Sequence, residues 1–527
     1  MRLRDRHVQK GAALFSVYDR TGAAELARAL AAAGIPIYAT GGTRAHLIEN
    51  GIDARDVVEL TGFPSLFDGR VKTLHPKVFG AILSDRRNPK HNEEATQYEI
   101  PQLDYVVVNL YPFERTVARS GASLEEALEQ IDIGGVALIR AAAKNFENVT
   151  VLCDPSQYGE IATSLPGGVD STDRKRLATR AFERTAEYDS AIARYLEAGM
   201  IASELPGSLA LTVPVAQPLR YGENPQDRAA FYLERERTLP EQLHGKELSY
   251  NNLLDLDACL RLLARAPIAF PPGTMPSRKR LHRVAIVKHT IPCGVSEQEH
   301  VAGAIRHALD TDPVSAYGGI IASDGTIDVA GAEALGEFFL EIVAAPDFEP
   351  AALEALRRKK NLRVMRYAKE LPDQLMTELQ VRSALGGVLA EDRDPKAVPE
   401  RWEVVSKRQP TGDEWLDLAF AWDVVRHVKS NGIVIVRDRT ARGICAGQTN
   451  RVSAVKIAAH RAEDNAQGSA CASDGYFPFP DGLLAAADAG CTAVIAPGGS
   501  IRDNFVIEAA NARGVALVFS NYRYFLH

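Results

Sequence analysis

The chain reads as an α/β protein, with a parallel sheet covered by helices in its first part and a second α/β region after it. Two observations predict this. Short apolar runs alternate with helical patterns from Ala12 to about Asp154, and the alternation returns after a Pro-, Gly- and Ser-rich stretch near residues 200–218. A third is size: 527 residues are too many for one core and divide into two or three domains.

Each element has a local reason. "AALFSV" is a short apolar strand, followed by "GAAELARALAAAG", whose leucines and alanines suit an amphipathic helix stopping at Gly34. "IPIYAT" reads as a buried strand, "GGT" as a tight turn and "RAHLIENG" as a helix closed by Gly51. Further on come "DYVVVNLYPF" (strand), "SLEEALEQI" with Ser123 and Glu126 as a capping box, "ALIRAAAKN" (helix) and "NVTVLCD" (strand). A long polar helix, "DRKRLATRAFERTAEYDSAIARYLEAG", precedes the break. The divisions expected are residues 1–200, a linker at 201–217 and residues 218–527.

In the second region "RVAIVKHTIPCG", "AYGGIIAS", "NGIVIVRD", "TAVIAPGGS" and "VALVFSNYR" are strand-plus-loop units. Strand–glycine-loop–helix patterns at Val284–Gly294 and Thr492–Ser500 point to two similar subdomains. The basic, Pro-rich run at 264–283 is expected to be exposed and mobile.

Composition removes several function classes. A formal charge of -7 and a pI near 6.0 give no global basic field for nucleic acid, so an anion site has to be built locally. Six cysteines without metal-ligand spacing read as reduced, buried small hydrophobes. The charged start is no signal peptide and no run approaches the ~18 apolar residues of a membrane helix, so a cytoplasmic protein is expected. His91-Asn92-Glu93 mimics a zinc deaminase motif, but Pro292-Cys293 lacks the second cysteine three residues on. Neither G-x-G-x-x-G after a strand nor a GxxxxGK[ST] loop occurs, and no catalytic metal is expected.

The stretch "DGRVKTLHPKVFG", Asp68 to Gly80, breaks the pattern. Gly69 and Pro76 oppose a helix through it, and His75, preceding proline, is pushed to extended geometry. Arg70, Lys72 and Thr73 there can grip an anion. Gly41, Gly42 and Thr43 stand between a strand and a helix, where backbone amides can close on phosphate. Ser16, Arg20 and Thr21 follow the first strand, making three anion-friendly loops in one small unit. Asp132 and Lys144 read either as helix-end complements or as a carboxylate and amine for proton transfer, and Tyr111 as a ligand or core phenol. In the second region Lys288 and His289 end an apolar strand, a neighbouring cation favouring neutral imidazole. Asn431, Arg451, Arg220 and Tyr221 are further polar candidates.

The ordered set "TGFP", "DGRVKTLHPKV", "VVVNLYPF", "IDIGG", "RAAAKN", "LRYGENP", "GKELSYNNLLDLDA", "VKHTIPCG", "KRQPT", "VKSNG", "AGQTNRV", "SDGYFPFPDG", "APGGSIRDN" and "FSNYRYFLH" resembles one family nearly end to end. It is that of the bifunctional purine-biosynthesis proteins, joining an inosine monophosphate cyclohydrolase to an aminoimidazole-carboxamide ribonucleotide formyltransferase. The resemblance implies a methylglyoxal-synthase-like parallel-sheet domain for cyclisation at 1–200. It implies two cytidine-deaminase-like subdomains, without catalytic zinc, for formyl transfer at 218–527. It further implies 10-formyltetrahydrofolate as cosubstrate and a homodimer with the transferase site at the interface.

Carried over by position, Lys72, Tyr111, Asp132 and Lys144 are the implied cyclohydrolase residues. Ser16, Arg20, Gly41, Gly42, Thr43, Arg70 and Thr73 would form the nucleotide pocket. In the transferase, Lys288, His289 and Asn431 would be catalytic. Arg220, Tyr221, Asn252, Arg451, Phe479, Arg523 and Phe525 would line the nucleotide site, with Asp481 near folate. Where the family writes "SVSDK" this chain has "SVYDR", so Tyr18 has to swing aside or narrow the pocket. Two alternatives remain: a transferase with a degenerate cyclohydrolase domain, and a nucleotide-binding regulator.

Overall fold

The computed structural model describes residues 11–119, 121–198, 205, 207–235, 237–266, 281–392 and 402–527. They form two compact units. One runs to Pro214 and takes in the stretch at 234–236; the other holds the rest. The expected linker lies partly outside the described residues, and a strand already begins within it at Val215. Of the basic Pro-rich run, residues 267–280 lie outside the described residues.

In the first unit β1 (Ala12–Ser16), β2 (Ile37–Ala39), β3 (Arg55–Asp56), β4 (Leu103–Val108) and β5 (Thr150–Leu152) make a wholly parallel sheet in the order β3-β2-β1-β4-β5. Its helices include α1 (Ala23–Ala32), α2 (Gly41–Glu49), α3 (Pro76–Leu83), α4 (Ile133–Lys144) and α5 (Ser171–Ala198). Leu14, Phe15, Val106, Val107, Leu138 and Ile139 are fully buried between sheet and helices. Each such side chain contributes about 1.5–3 kcal/mol relative to exposure. Strand order reverses between β1 and β4, which opens a crevice at their carboxyl ends.

Two local expectations are corrected. "GGT" is the first turn of α2, with Thr40 as its N-cap, and not a turn before the helix. Gly41 and Gly42 thereby contribute free N–H groups at a helix start. Pro76 opens α3, because the missing N–H at a first helical position has no partner to lose. His75 is extended (φ −137°, ψ 141°) as expected, and its Nδ1 accepts from the Lys77 N–H at 3.1 Å.

The second unit is organised by one twelve-stranded mixed sheet. In chain order its strands are β6 (Glu241–His244), β7 (His282–Lys288), β8 (Ile291–Gln298), β9 (Ile320–Ser323), β10 (Ile342–Ala345), β11 (Arg363–Arg366), β12 (Glu403–Val404), β13 (Ile433–Arg437), β14 (Thr440–Cys445), β15 (Ala470–Ser473), β16 (Ala493–Ala496) and β17 (Ala516–Phe519). They lie side by side as β12-β17-β16-β15-β13-β14-β8-β7-β9-β10-β11-β6. Read outward from the central β14–β8 pair, the two halves are identical in connectivity. Helices α6 (Tyr250–Arg261) and α7 (Val301–Leu309) belong to the first half; α8 (Gly412–Val425) and α9 (Arg451–Ala462) are their counterparts.

The duplication is as expected, but its register is not. The counterpart of Val284–Gly294 is the β13–β14 hairpin, whereas Thr492–Ser500 answers to β10. Packing makes the match specific. A Cβ on Gly294 would lie 2.0 Å from the Ala308 carbonyl oxygen of α7, and one on Gly443 would lie 2.0 Å from that of Ala458 in α9. In both halves a helix sits directly on a glycine of the hairpin's second strand. Alanine at either position is expected to destabilise the second unit by about 1–3 kcal/mol through overpacking, read as a lower thermal midpoint with the first unit's transition unmoved.

Candidate functional site

Along the carboxyl edge of the parallel sheet lies a cavity of about 1690 Å³. It is lined by the loops after β1, β2, β4 and β5, by the segment before α3 and by the start of α4. Of the predicted residues, Ser16, Arg20, Gly42, Thr43, Arg70, Lys72, Thr73, Tyr111 and Asp132 line this one cavity. Gly41 stands beside it in the first turn of α2. A Cβ on Gly42 would be 3.2 Å from the Arg20 guanidinium, so cation and helix start face the same space. Helix N-termini and cations together favour a bound phosphate.

Several polar groups there are already committed to architecture. Thr43 Oγ1 accepts from the Val17 N–H at 3.0 Å and donates to the Val17 carbonyl at 3.1 Å. Thr40 Oγ1 donates to Ser16 Oγ at 3.2 Å. Asn109 Oδ1 accepts from the N–H groups of Tyr18 (2.7 Å) and Asp19 (2.9 Å), while its Nδ2 donates to the Asp19 carbonyl at 2.7 Å. Asn109 therefore shapes the loop carrying Arg20. Arg70 pairs with Glu129, both largely exposed, an ion pair cheap to exchange for a phosphate. Tyr18 stays in the cavity wall, packed edge-on against Tyr111 with ring centroids 5.8 Å apart.

Asp132 caps α4 through Oδ1, which accepts from the Gly135 N–H at 2.7 Å, and also receives the Tyr111 N–H. Burial raises its carboxyl above the usual 3.8, and those N–H groups and the Lys72 charge only partly offset it. Capping and functional readings thus hold at once. Lys144 lies apart from these residues. It is the last residue of α4, exposed and absent from the cavity lining, about 18 Å along the axis from Asp132 at ~1.5 Å per residue.

Asn109 stood inside a quoted motif but was not singled out; its place just past β4 was the available signal. Tyr188 had none, lying 56 residues from its partner. Buried on α5, its hydroxyl accepts from the Asp132 N–H at 2.9 Å and donates to the Gln130 carbonyl at 2.5 Å, pinning the turn before α4.

In the second unit, Lys288 ends β7 and donates from Nζ to the Tyr317 carbonyl at 2.7 Å, while His289 is exposed in the following turn. Arg220 stacks on Tyr221 (4.7 Å to the ring centroid) in a loop that accepts from Asn251 Nδ2 at the Glu223 carbonyl, 3.2 Å. Asn252 is buried, and its Oδ1 accepts from the Ser249 N–H at 3.1 Å. Its carbonyl end thus serves the α6 capping box, a role sequence reading did not assign.

Asn431 Nδ2 donates to the Gln448 carbonyl at 2.7 Å. Arg451 donates to Ser473 Oγ at 2.8 Å and pairs with buried Asp474. The C-terminal segment joins them: the Ser430 N–H donates to the Leu526 carbonyl (2.8 Å), the Tyr524 N–H to that of Asp474 (3.1 Å), and Arg523 lies over the Phe525 ring. Phe479 instead carries Arg502 over its ring at 4.3 Å, and Asp481 Oδ1 accepts from the Gly482 N–H. Ser296↔Thr440 and Ile433↔Cys445 put the His289 turn and Asn431 at the same end of the sheet. β7 and β13 are three strand spacings apart, about 14 Å.

A parallel sheet with phosphate-suited loops at its carboxyl edge, followed by a duplicated mixed sheet presenting lysine, histidine and arginine, defines a nucleotide-handling α/β enzyme of two units. Comparison with known proteins agrees. A family model described as "MGS-like domain" matches residues 22–137, and one described as "AICARFT/IMPCHase bienzyme" matches residues 142–461. Three similar relatives carry the name "Bifunctional purine biosynthesis protein PurH". That of Chloroflexus aurantiacus is 47% identical over 98% of both chains, and that of Pelodictyon phaeoclathratiforme 45% over 98% of both. That of Desulfitobacterium hafniense is 46% identical, over 98% of this chain and 99% of its own. The chain belongs to the AICARFT/IMPCHase bienzyme family. It is a bifunctional enzyme of the last two steps of purine biosynthesis, a formyltransferase and a cyclohydrolase, and its transferase reaction calls for a folate one-carbon donor.

Tyr188→Phe leaves the Asp132 N–H and Gln130 carbonyl without their shared partner, at about 1–3 kcal/mol. Ring closure of supplied formylated nucleotide is expected to slow about tenfold or more, as misplacement of a reacting group does, with formyl transfer unchanged in the same preparation.

Proposed function

We propose that the cavity of the first unit performs the cyclisation and that the second unit performs formyl transfer, with 10-formyltetrahydrofolate as donor. The observation that carries this is the convergence of three anion-suited loops with Lys72, Tyr111 and Asp132 in one cavity. The nucleotide phosphate would lie against the α2 start, Ser16, Arg20, Arg70 and Thr73. Lys72 and Tyr111 would then polarise the formyl oxygen while the carboxamide nitrogen attacks the formyl carbon. Asp132, kept near Lys72, would relay the proton as the oxygen leaves as water. Attacking and accepting groups already belong to one molecule, so the site would need to supply little beyond their orientation and the polarisation of the formyl group.

In the transferase, the substrate amine is delocalised into its ring and a weak nucleophile. His289 would take its proton as it attacks the formyl carbon, and Lys288 would stabilise charge on the formyl oxygen. The carbon–nitrogen bond to folate then breaks and that nitrogen is protonated. Asn431 would orient the nucleotide, and Arg451, Arg220, Tyr221 and the terminal Arg523 and Phe525 would hold it. Phe479 and Asp481 would lie on the folate side. The enzyme would act as a homodimer with the transferase site at the interface, as the family resemblance implies. Among the described residues no helix is long and apolar enough to cross a membrane.

The test follows products from ribonucleotide and 10-formyltetrahydrofolate. His289→Ala is expected to abolish formyl transfer while closing supplied formylated nucleotide normally, and Lys72→Ala the reverse. Loss of both activities in either variant refutes separate sites. The raised Asp132 carboxyl sets a pH expectation for ring closure. As pH falls through that value the carboxylate protonates and its attraction for Lys72 is lost. The acid limb of the rate profile should therefore lie above 3.8, the ordinary carboxylate value, and vanish in Asp132→Asn.

A further inference from the structure

His289 and Thr290 both take left-handed backbone, with φ of 55° and 61°. Neither is glycine, and each pays about 1–2 kcal/mol for that shape. One side chain compensates the turn. Asp255, on α6, accepts the His289 N–H through Oδ2 at 3.2 Å and the Thr290 N–H through Oδ1 at 2.6 Å.

The duplicated half repeats this device without a histidine. Asp438 and Arg439 occupy the equivalent turn with φ of 57° and 51°. Asp417, on α8, accepts their N–H groups at 3.0 and 2.7 Å. Even the preceding cations correspond: Lys288 donates to the Tyr317 carbonyl at 2.7 Å and Arg437 to that of Gln467 at 3.1 Å. The molecule therefore holds its own control. One carboxylate-clamped turn carries an exposed imidazole at its first left-handed position and the other carries an aspartate there.

We propose that Asp255 is a positioning residue for formyl transfer, fixing the direction in which His289 leaves the backbone. This rests on the reading of His289 as the proton acceptor. A backbone turn held by both oxygens of one carboxylate has a single geometry. With one oxygen removed the strained pair relaxes toward ordinary hairpin angles, and the imidazole moves with its Cα.

The experiment uses the full chain. Asp255→Asn keeps one acceptor and loses the other. It is expected to lower kcat for formyl transfer by about a hundredfold, the effect of ~1 Å misplacement, with KM for the ribonucleotide little changed and ring closure intact. In a His289→Ala background the same substitution is expected to leave the residual rate where it was, since both changes act through one group. Asp417→Asn removes the same bond from the turn without histidine, and should cost similar thermal stability while formyl transfer persists.

The proposal is overturned if Asp255→Asn transfers formyl at the parental rate while His289→Ala does not. It is overturned equally if Asp255→Asn and Asp417→Asn lose transfer in step with their melting temperatures, if the double variant is slower than His289→Ala alone, or if Asp255→Asn does not fold. Full formyl transfer by His289→Ala is a different failure, that of the reading beneath it.

Discussion

The cavity of the first unit is organised around one partly buried carboxylate and the donors that face it. Asp132 sits at the start of α4, and burial favours its neutral form. The Gly135 and Tyr111 N–H groups and the Lys72 ammonium oppose that. Three elements contribute to this arrangement. The segment before α3 delivers Lys72, β4 ends where the Tyr111 backbone can donate, and α5 reaches across with Tyr188. The parallel sheet brings these pieces together because all its strands end on one edge.

The second unit solves its positional problem by repetition. A hairpin, a helix resting on a hairpin glycine and a carboxylate gripping the turn occur twice about the centre of one sheet. Burial pushes the Asp417 carboxyl up to about 6, and the Arg439 and Asp438 N–H groups that it accepts oppose that shift. The two copies differ in the side chain that the turn presents. His289 stands on one copy and Asp438 on the other.

Much of this was readable from residue order. Alternating apolar runs located the strands of both units, and the Ser123–Glu126 capping box appears as expected, with Ser123 Oγ accepting from the Glu126 N–H at 3.1 Å. Nine of the pocket residues named from the first half line one cavity. Lys144 is not in that lining, because α4 separates "IDIGG" from "AAAKN" by its full length. The turn expected at "GGT" and the helix break expected at Pro76 were boundary errors of one kind, since glycine and proline both fit a helix's first turn.

What the sequence determined alone was the class of each element, the loops able to receive phosphate and the ordered motifs of a bifunctional purine enzyme. Those are local properties, written in spacing and residue type. Only the tertiary structure decided that Tyr188 supports Asp132, that Asn109 shapes the Arg20 loop, and that Asp255 and Asp417 perform the same task in two halves. Such partners lie 21 to 91 residues apart, and a hydrogen bond formed after the chain has packed leaves no periodicity to read beforehand.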